Sequence, residues 1–214
     1  MREHGPSRFV APLAAMLHDQ LARAFPDFAR IEDKRLRDAV VDQWRYVSEC
    51  NPIHSDLERI PCHPSLPVER YGSLAAHIRA QMALSRTLVP TYAEEWNIQL
   101  SLDHFLACAL VHDSAKVIEF VEQDGTLIAT PGFDHAYEGA KIALQVGFPR
   151  EVAHMISVHT YLGAKRLPRT AAAQLFQFLD PICLPVFPET GKSAVARHLE
   201  ANKWVAPPPP EDLP

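Results

Sequence analysis

The chain predicts an all-α fold, a compact bundle of helices. Apolar residues recur at helical spacing over most of its length, while alternating strand patterns are weak throughout. Proline, glycine and asparagine break the pattern at intervals that suit short helix–helix connections. With 214 residues, 47% of them hydrophobic, the chain can bury one sizeable core.

Leu13, Met16, Leu17, Leu21 and Ala24 mark a first helix, closed by Pro26. Leu36, Val40, Val41, Trp44 and Val47 form the apolar face of a second, from Asp33 to Cys50, which Asn51-Pro52 stops. Residues 51–71 carry Pro52, Pro61, Pro64 and Pro67 without periodicity and read as an ordered, irregular connector. His54, Cys62 and His63 lie in it, but not at zinc-finger spacing. A third helix from Ser73 to Leu88 carries Leu74, His77, Ile78 and Met82, and Pro90 is expected to end it. After a turn, Ser101 caps a central apolar helix predicted to reach Phe120. A loop at Glu122-Gln123-Asp124-Gly125-Thr126 leads to a helix from Asp134 to Val146. There Gly139 and Ala140 permit close packing, and Gly147 is the C-cap candidate. Helices over 150–159 and 170–179 follow, the first segment ending at Gly163, then a short one over 192–202. Pro207 to Pro210 begin a polyproline-like tail. The expected organisation is an N-terminal helical extension with its connector (1–70), one main domain (71–205) and a disordered Pro-rich tail (206–214).

Composition narrows the function. Net charge is −5 with no long basic run, which argues against an extended nucleic-acid surface. No stretch approaches the ~18 apolar residues of a membrane span. Arg2, Glu3 and His4 are followed by Gly5-Pro6 rather than by the apolar core of a signal peptide. The four cysteines form no CxxC pair, so a reducing, cytoplasmic setting is expected.

The chemistry gathers at Leu110-Val111-His112-Asp113-Ser114-Ala115-Lys116. On a helix, Leu106, Leu110, Asp113 and Val117 share the core-facing stripe, so a carboxylate and an imidazole point into apolar surroundings. Leaving a buried polar group unpaired costs on the order of 2–7 kcal/mol. A divalent cation, which needs a deprotonated carboxylate and a neutral imidazole, would satisfy both. Taken alone, a His-Asp pair in a helix is more often a hydrogen-bonded core pair or a helix-end salt bridge than a metal site. His77, His135, His154, His159 and Asp180, however, place further candidates on successive helices, and bundle helices can send such residues to a common centre. His154 and His159 are five apart and cannot share a face, so His159 is expected inside and His154 exposed.

The order His77 … His112-Asp113 … His135 … His159 … Asp180 resembles the HD-domain superfamily of metal-dependent phosphohydrolases over about residues 70–185. The segments His135-Ala136-Tyr137-Glu138-Gly139-Ala140 and Val152-Ala153-His154-Met155-Ile156-Ser157-Val158-His159-Thr160 are also close to that family's pattern. The resemblance implies an all-α fold with the metal centre between helices. It implies a first ion on His77, His112, Asp113 and Asp180, and a second on His135 and His159 with Asp113 bridging. Pro181 directly after Asp180 departs from the family's last helix.

The expectation is therefore a hydrolase that uses one or two divalent ions on a nucleotide or other small phosphoester. Asp113 and Lys116 would be catalytic, Lys116 balancing charge on the phosphate. Arg79, Lys165, Arg166 and Arg169 are candidates to meet the substrate's phosphates. A di-iron oxygenase cleaving C–C or C–P bonds and a non-catalytic sensor module are the alternatives. Residues 1–70 are expected to shape the pocket or a homodimer contact.

Overall fold

A computed structural model describes residues 10–51, 57–62, 68, 72–124, 126–160, 166–184, 186–187 and 192–193. Helix α1 (Val10–Ala24) leads through a 3-10 turn, Pro26–Arg30, into α2 (Lys34–Cys50). Helices α3 (Leu74–Trp96) and α4 (Leu102–Val111) follow, then a single turn, α5 (Lys116–Glu119). Strands β1 (Phe120–Gln123) and β2 (Thr126–Ala129) form an antiparallel hairpin that pairs Phe120 with Ala129. Helices α6 (His135–Gln145), α7 (Arg150–Val158) and α8 (Ala171–Ile182) complete the bundle. A short pair, β3 (Val186–Phe187) and β4 (Lys192–Ser193), lies beyond it.

Polar N-caps begin most of these helices. The side chains of Asp33, Ser73, Ser101, Asp134 and Thr170 each accept a backbone N–H from the first turn, one of the donors a helix start leaves unpaired. Helix α4 is the centre of the bundle: Phe105 to Val111 are all fully buried, with α2, α3 and α7 packed around it. Its apolar surface has no solvent side, which is why it carries almost no amphipathic signal.

The structure differs from the sequence expectation in five places. The central helix does not run to Phe120; it stops at Val111 and tightens through His112–Ala115, where Ser114 N bonds Val111 O and Lys116 N bonds Asp113 O. Side chains of α2 and its C-cap take carbonyls at and after this break: Trp44 Nε1 donates to Leu110 O (3.1 Å), and Asn51 Nδ2 donates to Val117 O and Phe120 O. Helix α3 passes through Pro90 to Trp96 and ends on Asn97, which takes the left-handed conformation at φ +48. Pro90 and Arg86, whose carbonyl loses its helical partner, are both exposed, so water can serve it. The expected loop at 122–126 is the turn of a hairpin, with Asp124 at φ +51. Helix α8 continues past Pro181 to Ile182. Residues 192–193 are a strand where a helix was expected; the rest of that expected helix, the tail at 206–214, His54, His63, Gly163 and Lys165 lie outside the described residues. Among the described residues no helix is long and apolar enough to cross a membrane.

Candidate metal centre

Four helices and one turn bring the candidate ligands together. His77 comes from the first turn of α3, His112 and Asp113 from the break after α4, and His135 from the first residue of α6. His159 follows the last residue of α7, and Asp180 sits near the end of α8. His77, His112, Asp113 and His159 are buried at 4%, 0%, 1% and 1% exposure.

Around the first group, His77 Nε2 lies 3.2 Å from His112 Nε2 and 3.0 Å from Asp180 Oδ1. His112 Nε2 is 3.4 Å from Asp180 Oδ1 and 3.3 Å from Asp113 Oδ2, and His77 Nε2 is 3.6 Å from Asp113 Oδ2. Nitrogen and oxygen donors about 2.1 Å from one cation, at right angles to each other, stand about 3 Å apart, so these spacings fit a shared ion. The other carboxylate oxygen, Asp113 Oδ1, faces a second pair: His135 Nε2 and His159 Nε2 are each 3.3 Å away. Oδ1 is buried and has no hydrogen bond, because neither ring meets it in hydrogen-bonding geometry.

Tautomers sharpen the fit. Backbone carbonyls only accept, so His112 Nδ1 donates to Ala109 O (2.9 Å) and His159 Nδ1 donates to Ile156 O (2.7 Å). When neutral, each ring then presents the lone pair of Nε2 to the centre. A lone pair against a carboxylate oxygen is unfavourable unless a proton or a cation stands between them. The donor set, imidazole nitrogens with carboxylate oxygens, suits a divalent transition ion.

Electrostatics agree in direction. Burial disfavours the charged form of His112, but Asp113 and Asp180 outweigh it and push the ring up to about 9. Burial would raise Asp113, yet the Lys116 and His112 charges hold it well below the usual carboxylate range. Asp180 is likewise held low against burial by its bonds to His112 and His77. His159 is shifted down, mainly by burial.

Lys116 is buried at 6% exposure; its Nζ donates to Asp113 Oδ2 (2.6 Å) and to Cys62 O (2.7 Å). His154 stands apart from the centre, half-buried, accepting the backbone N–H of Arg169 on Nε2. Arg79 pairs with Glu58, and Arg166 pairs with Asp134 and the carbonyl of Ser157. Arg169 is exposed. A cavity of about 250 Å³, lined among others by Tyr46, Ile118, Glu138 and Lys141, contains none of the candidate ligands.

Two residues escaped the sequence reading. Glu119 is buried, and its Oε2 lies 2.9 Å from His135 Nδ1, though off the line of a hydrogen bond. Gln43 is fully buried against the break after α4. For Glu119 the available signal was the one that singled out Asp113, a polar side chain inside an apolar run; for Gln43 it was a polar side chain at helical spacing from Val40 and Val47.

The model of the HD domain matches residues 74–205. No curated protein and no solved structure matches the chain significantly.

Proposed function

This chain belongs to the HD domain family, and from that premise we propose that it is a metal-dependent phosphohydrolase acting on a small phosphoester such as a nucleotide. The observation that carries the reading is the division of the Asp113 carboxylate: Oδ2 faces His77 and His112, while Oδ1 faces His135 and His159. In this reading His77, His112, Asp113 and Asp180 hold one ion, and His135 and His159, with Asp113 bridging, hold a second. Divalent ions bound there would activate a water and clamp phosphate oxygens.

The remaining work falls to the chain. Lys116 enters as the group that holds Asp113 ionised and oriented, since its charge is already set against Oδ2. The side chains of Asp180 and His135 keep 16% and 17% exposure where the other four ligands are nearly sealed, so substrate would approach between the start of α6 and the end of α8. Arg79 and Arg166 already face carboxylates and do not form a free cradle for the phosphate.

The test is purified protein, stripped and reloaded in turn with Mn, Mg, Co and Ni, and assayed for bound metal and for phosphate release from nucleotides and simple esters. Wild type should bind metal and release phosphate; Asp113→Asn should bind less and release none. Metal uptake with no phosphate from any ester would refute the hydrolase reading, and oxygen consumption by the iron-loaded protein would replace it with the oxygenase.

A further inference from the structure

Among the described side chains from outside the segment that matches the family, Gln43 is the one that bonds both the break after α4 and helix α6. Gln43 Nε2 lies 2.8 Å from Ser114 Oγ, 3.3 Å from Val111 O and 3.4 Å from Gly139 O. Two of these partners are carbonyls, which can only accept, so the donor end of the carboxamide is the end that faces them. Val111 and Ser114 flank His112 and Asp113. Gly139 lies one turn after His135 on α6, and a Cβ built there would stand 3.5 Å from His112 O. Helix α6 thus packs directly on the turn, with room for no more than a methyl group between them, and the Gln43 amide bonds both at once.

We propose that Gln43 is a positioning residue for the second ion: it sets the spacing between Asp113 on the turn and His135 on α6. The proposal rests on the metal-centre reading above. His135 is the ligand most open to solvent among the four imidazoles, and it is the first residue of its helix, so its distance from Asp113 follows how α6 seats on the turn. Losing a group that orients a ligand typically weakens metal binding about 10- to 100-fold.

The experiment compares two substitutions on the same helix. Gln43→Met keeps length and apolar fit but removes both N–H groups. Trp44→Phe removes the indole bond to Leu110 O and leaves α6 without a lost bond. Mn(II) binding is followed by calorimetry and by electron paramagnetic resonance, with urea denaturation alongside. Wild type should take two ions and give an exchange-coupled spectrum. Gln43→Met should keep the first ion, bind the second at least about tenfold more weakly and lose the coupled spectrum. Trp44→Phe should be less stable yet bind both ions as wild type does. If Gln43→Met does not fold, Gln43→Asn, whose shorter amide cannot span all three acceptors, gives the same readout. Wild-type affinity for the second ion in the Gln43 variant, or an equal loss in Trp44→Phe, overturns the proposal. Wild type that binds a single ion also overturns it but leaves the metal centre standing, whereas wild type that binds none removes both.

Discussion

Replacing Asp113 with asparagine should destabilise the protein even when no metal is present. The Asp113 carboxylate is 1% exposed and sits 2.6 Å from a lysine ammonium that is itself 6% exposed. Among the described residues, the other acceptor that ammonium meets is the carbonyl of Cys62 at 2.7 Å. An amide at position 113 strands a buried cation, and breaking a buried pair from one side costs about 3–5 kcal/mol. In a chain of this size each kcal/mol moves the melting temperature by about 2–4 °C, so Asp113→Asn should melt roughly 6–20 °C lower. Adding Lys116→Met removes the stranded charge and should recover most of the loss, because an apolar replacement of both partners is often neutral. Lys116→Met alone should cost less than Asp113→Asn. Asp113 would still face His112 at 3.3 Å, a ring pushed up to about 9 and so charged at neutral pH. The assay is urea denaturation of the four proteins at pH 7 in excess chelator, which keeps metal binding from contributing to stability. A coupling energy of at least about 2 kcal/mol is expected. Additivity within about 0.5 kcal/mol, or Asp113→Asn as stable as wild type, would refute the reasoning.

Metal uptake should release protons. Below about 9 the His112 ring is protonated, and it must be neutral to coordinate through Nε2, so binding at pH 7 should expel about one proton from this ring. Affinity should therefore climb about tenfold per pH unit toward 9 and level off above it; calorimetry in buffers of different ionisation heat measures this, and a flat profile between pH 7 and 8.5 counts against it. Glu119→Leu should weaken the second ion about 10- to 100-fold, with Glu119→Gln in between, as read by Mn(II) titration. Equal affinity in all three proteins would make Glu119 a bystander to His135. Gly139→Ala should be nearly neutral in thermal denaturation, since its Cβ would meet Ile156 Cγ2 at 3.4 Å while helix propensity improves by about 1 kcal/mol. Gly139→Val should cost about 1–3 kcal/mol by overpacking against Ile156 and the turn.

The contrast between what could and could not be read from the sequence has a physical basis. The apolar stripes of α2 and α3 and the caps at Asp33, Ser73, Ser101, Asp134 and Thr170 are local signals, and the helices start where they point. The gathering of His77, His112, Asp113, His135, His159 and Asp180 was suggested by polar groups on apolar faces, because a buried charge needs a partner and the bundle offers one centre. Nothing local announces the break at His112. It exists because Gln43 and Trp44, 66 to 71 residues earlier in the chain, supply the hydrogen bonds that α4 gives up. Pro90 misled in the opposite sense: the bond it removes falls on the exposed side of α3, where Arg86 and Pro90 both face solvent and water can replace the lost donor. The hairpin was legible in principle, since Asp-Gly between short apolar segments is a turn signal, but four-residue strands carry too little alternation to stand out. The same distinction explains Gln43 and Glu119. Residues that bind an ion directly belong to a small set of side-chain types and can be collected by type. Residues that hold those ligands in place are defined by the carbonyls and rings they touch, and those contacts arise only when α2 and the hairpin close on the turn that carries Asp113.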